Sequence, residues 1–128
     1  MIRCMKILLV FAFFFLAPLS RGDTESGISD GNSLAEGLKA FNTLLDGGPL
    51  TRSQEYQAFS ASSFVQGVFT GCAMWNILCP NTPFEFPKQG LQTRQVIKIV
   101  SKHLNDHPER LHENAEFLVF SALRDSFP

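Results

Sequence analysis

Apolar residues recur every third or fourth position in four separate segments of this 128-residue chain. No segment keeps the two-residue alternation of a β-strand for more than a few residues. A spacing of three and four places apolar side chains on one face of an α-helix. The sequence therefore predicts an all-α fold, a small bundle of four to five helices in which each helix buries one stripe.

Polar residues and prolines mark where these helices begin and end. Three residues stand where a helix N-cap is required: Ser33, Thr93 and Asn114. Ser33 and Glu36 also fit a capping box, so the first helix is predicted over residues 34–46. The third helix must end near Asp106, because the residue before Pro108 is pushed out of helical conformation.

The second predicted helix covers residues 53–76 and is the longest. Its expected buried stripe consists of Tyr56, Phe59, Phe64, Val68, Cys72 and Trp75. Small residues also repeat at every fourth position: Ser63, Gly67 and Gly71. This repeat predicts that another backbone packs closely against that side of the helix.

The N-terminus has the organisation of a secretory signal peptide. Arg3 and Lys6 precede an uncharged apolar run over residues 7–19, which is shorter than the roughly 20 residues a membrane-spanning helix needs. We expect cleavage after Ser20 or Gly22. The predicted organisation is a signal peptide at 1–22, a disordered lead-in at 23–33 and a helical domain at 34–128; a retained anchor helix is the alternative.

The charge of the processed chain argues against nucleic-acid binding. Cleavage removes Arg3, Lys6 and Arg21 and no acidic residue, which leaves 8 basic against 12 acidic side chains and a formal net charge of −4. Proteins that bind nucleic acid concentrate positive charge to neutralise phosphates. We therefore expect neither a nucleic-acid partner nor a stable membrane anchor in the mature protein.

Two cysteines, Cys72 and Cys79, remain after processing, in a compartment that oxidises thiols. In a continuous helix their Cα atoms lie about 10.5 Å apart, whereas a disulfide tolerates roughly 7 Å. A Cys72–Cys79 disulfide therefore requires the chain to leave the helix near Asn76 and turn back. The alternative is two buried thiols that behave as small apolar residues.

The histidines do not form a convincing metal site. His103 and His107 are four residues apart, but Pro108 ends the helix on which both would have to align. No glutamate follows His103, as the zinc-protease motif requires. A polar helix end, where the helix dipole favours a cationic histidine, explains the pattern better. The sequence also shows no catalytic set and no cofactor-binding loop, so we predict neither an enzyme nor a cofactor.

Motifs spread over residues 64–128 form a recognisable set. The most specific are His-Pro-Glu-Arg-Leu-His at 107–112 and Ala-Leu-Arg-Asp-Ser-Phe-Pro at 122–128. With Phe-Val-Gln-Gly-Val at 64–68, Cys79-Pro80 and the segment 96–104, they resemble the Rap/Tai family. The resemblance implies a small periplasmic helical immunity protein that binds and blocks a peptidoglycan amidase effector of a type VI secretion system, commonly as a homodimer.

An exposed loop offers the best candidate surface for such a partner. Three prolines and a glycine between residues 79 and 90 predict a stiff loop, and stiffness lowers the ordering cost of binding. For occlusion of an enzyme cleft, Phe84 and Phe86 are the candidate anchors, and Glu85 and Lys88 are the candidate rim charges. The alternative for the two phenylalanines is that at least one folds back onto the core.

Two other functions remain open on the sequence alone. A periplasmic structural or stress protein without a toxin partner would use exposed apolar surface. A small enzyme would need a pocket with perturbed titrating groups. A neighbouring gene for a secreted amidase would favour the immunity function over both.

Overall fold

The computed structural model describes residues 27–79 and 81–128. They form four α-helices and one short 3-10 turn, in the order α1 (Gly31–Leu45), α2 (Arg52–Leu78), α3 (Thr93–Asp106), the turn (Pro108–Arg110) and α4 (Ala115–Ser126). This part of the chain contains no strand, so the predicted all-α bundle is confirmed. The predicted signal peptide and residues 23–26 of the predicted lead-in lie outside the described residues.

The start of α1 differs from the prediction by three residues. Asp30 is the N-cap, and its carboxylate accepts a hydrogen bond from the Ser33 N–H at 2.9 Å. The Ser33 hydroxyl in turn accepts from the Asp30 N–H at 3.3 Å. Ser33 is therefore the third residue of the helix and not its cap, and the first turn of α1 lies inside the predicted lead-in. The pair Asp30 and Ser33 forms the capping box that was expected from Ser33 and Glu36, shifted by three residues toward the N-terminus.

The other two predicted caps have different outcomes. Asn114 caps α4 as expected, because its side-chain oxygen accepts from the Glu116 N–H at 2.9 Å. Thr93 is instead the first residue of α3, and Gln92 is the N-cap. The Thr93 hydroxyl is used elsewhere, since it donates to Gln66 Oε1 of α2 at 2.7 Å.

The segment before α1 is tied to the segment before α4 through the backbone. The Gly31 N–H donates to the carbonyl of Glu113 at 3.1 Å, and the Ala115 N–H donates to the carbonyl of Ser29 at 3.3 Å. A Cβ at Gly31 would lie 2.5 Å from Leu118 Cδ1 and 2.8 Å from the Leu111 Cα. Only glycine fits this approach, which places the start of α1 against the start of α4.

The core lies where all four helices meet. Its largest fully buried apolar side chains are Leu34, Leu38, Val65, Val96, Ile97, Val100, Leu118, Val119 and Leu123. The closest helix crossing is that of α1 on α2, where a Cβ at Gly37 would lie 2.5 Å from Ala61 Cβ and 2.9 Å from the Gln57 carbonyl oxygen. Among the described residues, no helix combines the length and apolar character that a membrane crossing requires.

The buried stripe predicted for α2 is confirmed only in part. Cys72 is buried, and Phe64 and Val68 are partly buried against the core. The fully buried residues of α2 are Ala58, Ala61, Val65 and Cys72. Tyr56 and Phe59, which the prediction placed inside, are each 59% exposed. The error arises because apolar residues surround this helix on most sides, so their spacing alone does not identify the side that packs. Small alanines face α1 because α1 approaches closely there.

Candidate functional site

Phe84 in the predicted contact loop belongs to the core. It is only 3% exposed, and its ring lies edge-on to Trp75 of α2 and Phe120 of α4, with centroid distances of 6.3 and 5.1 Å. A ring buried in this way cannot reach a partner, so its predicted role as a contact anchor does not fit the structure. The alternative prediction, in which a loop phenylalanine folds back onto the core, describes Phe84.

Phe86 is the second attachment point of the loop. Its ring stacks on Phe84 at 5.1 Å and lies edge-on to Phe69 of α2 and Phe127 at the end of α4, at 5.5 and 5.4 Å. Phe86 is half-buried, so most of its surface serves packing. The two phenylalanines thus fix the loop to both α2 and α4.

Glu85 lies between these two attachment points and has an exposed side chain. Its backbone N–H donates to the Phe127 carbonyl at 2.9 Å, which fixes the backbone from which the carboxylate projects. Lys88 is also exposed, and beyond it the Gly90 N–H closes a turn on the Pro87 carbonyl at 2.9 Å. The loop therefore presents one acidic and one basic side chain. Backbone hydrogen bonds fix the chain at Glu85 and at Gly90, on either side of Lys88.

Aromatic residues beside the loop form a surface that the sequence analysis missed. Trp75 is 42% exposed and stacks on Phe120 at 6.4 Å. One helical turn before Phe120, Phe117 is half-exposed, and the Arg110 guanidinium lies 5.6 Å above its ring. We assigned Trp75 to the buried stripe of α2. Phe117 lies among apolar residues of α4, and the sequence carries no signal that separates it from its buried neighbours Leu118 and Val119.

The outer face of α2 carries several exposed large apolar side chains. We use this name for the side of the helix formed by Tyr56, Phe59, Ser63, Gly67, Gly71, Met74, Ile77 and Leu78. Ile77 is 76% exposed, and a Cβ at Gly67 or Gly71 would meet nothing within 4 Å. The close backbone approach predicted for the small residues is therefore not made within the described part of the chain.

A polar groove of about 560 Å³ lies between α1 and α3. Its lining includes Glu36, Lys39 and Asp46 of α1, and Ser101 and Asn105 of α3. The Ser101 hydroxyl is buried and has no hydrogen-bond partner among the described residues. The groove is a second candidate surface, on a different side from the residues that the sequence singled out.

The histidine pair takes part in packing. His103 is 8% exposed, its ring lies 4.7 Å from that of His107, and its Nδ1 lies 3.8 Å from an Asp125 carboxylate oxygen. Burial lowers the pKa of His103, and the nearby His107 lowers it further, while Asp125 acts in the opposite direction. No group of three metal-ligating side chains occurs among the described residues.

Cys72 lies on α2, and Cys79 is the residue that caps the C-terminal end of that helix. Cys72 is buried, which raises the pKa of its thiol, and Cys79 follows the last residue of α2 with its N–H donating to the Trp75 carbonyl at 2.9 Å. The helix does not turn back near Asn76, as a disulfide would require. Pairing of Cys72 with Cys79 remains a prediction that needs the last turn of α2 to unwind.

The motif at 107–112 has a structural role. Pro108 is the first residue of the 3-10 turn, a position where the missing N–H of proline costs no hydrogen bond. The Arg110 guanidinium makes a two-pronged ion pair with Glu113, at 2.8 and 2.9 Å, which raises the pKa of Arg110 and lowers that of Glu113. The Leu111 carbonyl accepts from the Asn32 backbone and side chain, so the motif holds α1 against α4.

Comparison with protein families gives one match. Residues 36–128 match the family model described as Rap1a immunity proteins, a span that runs from the second turn of α1 to Pro128. No curated protein and no solved structure matches the chain.

Proposed function

Because this chain belongs to the Rap1a immunity protein family, we propose that it is a periplasmic immunity protein that binds and inhibits a secreted peptidoglycan amidase. The amidase is an effector of a type VI secretion system, and the immunity protein acts after removal of its signal peptide. Members of an immunity family act on cognate secreted effectors. Function therefore depends on an exposed contact surface and not on a catalytic set.

The family match is the observation that carries this proposal. It covers all of α2, α3 and α4 together with most of α1. The same observation favours an immunity protein over a structural or stress protein without a toxin partner. The partner's identity as an amidase, the homodimer and the periplasmic location come from the resemblance noted above.

We place the contact with the amidase on the loop of residues 81–89. Two buried or half-buried phenylalanines and one backbone hydrogen bond hold its backbone. A loop that is already ordered loses little conformational entropy when it enters a cleft. The inhibitor therefore reaches the active site with a preformed surface and blocks access of the peptidoglycan.

Glu85 and Lys88 supply the charged contacts of this surface. Both side chains are exposed, and Glu85 projects from the backbone between the two fixed rings. Charged groups in fixed positions give specificity and a faster encounter with a complementary cleft. The exposed edge of Trp75 adjoins the loop through its contact with Phe84 and gives the contact an aromatic anchor.

The loop is tested by a variant that removes only its exposed charges. Glu85→Ala combined with Lys88→Ala should leave the melting temperature unchanged, because neither side chain packs in the core. We expect the affinity for the amidase, measured by calorimetry, to fall by roughly 100-fold if both charges are buried in the complex. Unchanged affinity in the folded double variant would place the contact elsewhere.

Two control variants complete this experiment. Glu36→Ala with Lys39→Ala removes one acid and one base from the α1–α3 groove and should retain full affinity. If the groove variant alone loses binding, the groove is the contact surface. Phe84→Ala should bind weakly because it destabilises the fold that positions Glu85, since truncating a core phenylalanine costs about 3 kcal/mol or more.

A further inference from the structure

The chain turns back on α2 where the loop of residues 81–89 begins. Cys79, the residue after the helix, is already extended with φ −119° and ψ 121°, and Asn81 has a positive φ of 66°. After glycine, asparagine is among the residues that enter this left-handed region most readily, because its side chain is short and polar. The loop therefore leaves α2 through a left-handed residue, and its direction depends on the contacts that hold this turn.

A side-chain hydrogen bond spans the turn. The Thr82 hydroxyl donates to Oδ1 of Asn76 in the last turn of α2, and both side chains are half-buried. The same hydroxyl oxygen lies 3.5 Å from the carbonyl oxygen of Phe84. Asn76 directly follows Trp75, on which the Phe84 ring packs. The hydrogen bond thus ties the start of the loop to the part of α2 that also receives the first loop phenylalanine.

The other contacts of the loop lie further along the chain. The rings of Phe84 and Phe86 and the N–H of Glu85 fix its middle, and the Gly90 N–H closes a turn at its end. Thr82 lies three residues before Glu85, so its hydroxyl fixes the beginning of the loop. A segment held at its beginning, middle and end has few conformations left to lose on binding, as a preformed contact surface requires.

We propose that Asn76 and Thr82 are positioning residues of the inhibitory loop. Their hydrogen bond sets the direction in which residues 81–89 leave α2, and it thereby sets the place of the Glu85 carboxylate in the contact surface. The two residues act through the loop and do not themselves touch the amidase. The proposal deepens the proposed function and rests on it for the binding step, whereas the ordering of the loop in the free protein is independent of any partner.

A positioning role has a kinetic signature. When the hydrogen bond is lost, the loop of the free protein spends less time in the orientation that binds, so fewer encounters succeed and association slows. The contacts made in the complex remain the same, so the dissociation rate constant should not change. A side chain that contacts the amidase directly would instead act mainly on dissociation.

The test compares Thr82→Val, which removes the hydroxyl but keeps the branched shape, with Thr82→Ser, which keeps the hydroxyl. In the purified mature protein without amidase, hydrogen exchange of the Glu85 N–H, followed by NMR, should be roughly tenfold faster in Thr82→Val and unchanged in Thr82→Ser. The matched control Thr70→Val removes an exposed hydroxyl that donates within α2 at 2.8 Å, and it should exchange as the wild type does.

The same variants are then bound to an immobilised type VI peptidoglycan amidase. Surface plasmon resonance should show roughly tenfold slower association for Thr82→Val with unchanged dissociation, and wild-type rates for Thr82→Ser and Thr70→Val. Adding Asn76→Ala to Thr82→Val should cause no further loss, because the Asn76 side chain has already lost this donor. A further tenfold loss in the double variant would overturn the pairing of these two residues.

Two results would overturn the positioning role itself. One is exchange of the Glu85 N–H that is as slow in Thr82→Val as in the wild type. The other is faster dissociation of Thr82→Val with unchanged association, which would make Thr82 a contact residue. Failure of the proposed function looks different: a wild type that binds no amidase contradicts inhibition, while the exchange rates still decide whether this hydrogen bond orders the loop.

Discussion

Glu85 and Phe84 are adjacent residues with opposite roles. Phe84 fills the space between Trp75 and Phe120, and Glu85 projects into solvent from the backbone that this packing fixes. The buried ring thus contributes to binding through the position it gives to its neighbour. A substitution that enlarges or removes the ring moves the carboxylate, so effects of Phe84 variants on binding have to be separated from effects on folding.

His103 is the residue whose titration is most strongly tied to the fold. Its ring is buried at the junction of α3 with α4, and its Nε2 has no hydrogen-bond partner among the described residues. The charged groups around it are Asp125 on α4, Asp106 and His107 at the end of α3, and Arg110 in the 3-10 turn. Burial is the largest influence on this histidine, and the net effect on its pKa is a lowering.

We predict that acidification destabilises the protein through His103. The unfolded chain takes up this proton near the ordinary pKa of about 6.5, whereas the folded chain takes it up only at lower pH. The contribution of neutral His103 to the free energy of unfolding is therefore complete above the pKa of the unfolded chain. It is lost as the pH falls below that pKa. Melting temperatures measured between neutral and mildly acidic pH should drop less for His103→Gln than for wild type, with exposed His112→Gln as control. Equal drops in all three proteins would contradict this assignment.

At the scale of helices, local sequence signals predicted which segments are helical, but they did not always predict which side of a helix is buried. The end of α3 before Pro108 and the cap at Asn114 followed from backbone chemistry that acts within a few residues. The buried side of α2 did not, because it depends on where α1 crosses, and that crossing depends on Gly37 and Ala61, which lie far apart in sequence. The contact role of Phe84 failed for the same reason, since the ring packs on helices that are distant along the chain.

The α1–α2 crossing should be sensitive to a single methyl group. In Gly37→Ala, the added Cβ would lie 2.5 Å from the Cβ of Ala61 and 2.9 Å from a backbone oxygen of Gln57, so one helix must shift. We expect the free energy of unfolding to fall by about 2 kcal/mol, as is typical of overpacked cores. Urea denaturation measures this change, and Lys39→Ala at an exposed position of the same helix should leave stability nearly unchanged. A Gly37→Ala variant as stable as wild type would show that the crossing is looser than described.

At the scale of the whole molecule, the bundle separates two exposed surfaces. The loop of residues 81–89 is fixed against α2 and α4 and is assigned to the effector. The outer face of α2 carries no charged residue from Tyr56 to Leu78. Only the resemblance carried by the 107–112 and 122–128 motifs pointed to the function in advance. In the structure, Arg110 and Leu111 of the first motif hold neighbouring parts of the scaffold together.

The most direct test of the central claim is a titration of amidase activity. Purified mature protein is added to a peptidoglycan amidase effector of a type VI secretion system, and release of cleaved peptidoglycan is measured. The account predicts that hydrolysis falls to background when binding sites equal amidase molecules, and that the Glu85→Ala and Lys88→Ala double variant requires a large excess. Hydrolysis that continues unchanged in a large molar excess of folded wild-type protein would contradict the claim that this chain inhibits an amidase.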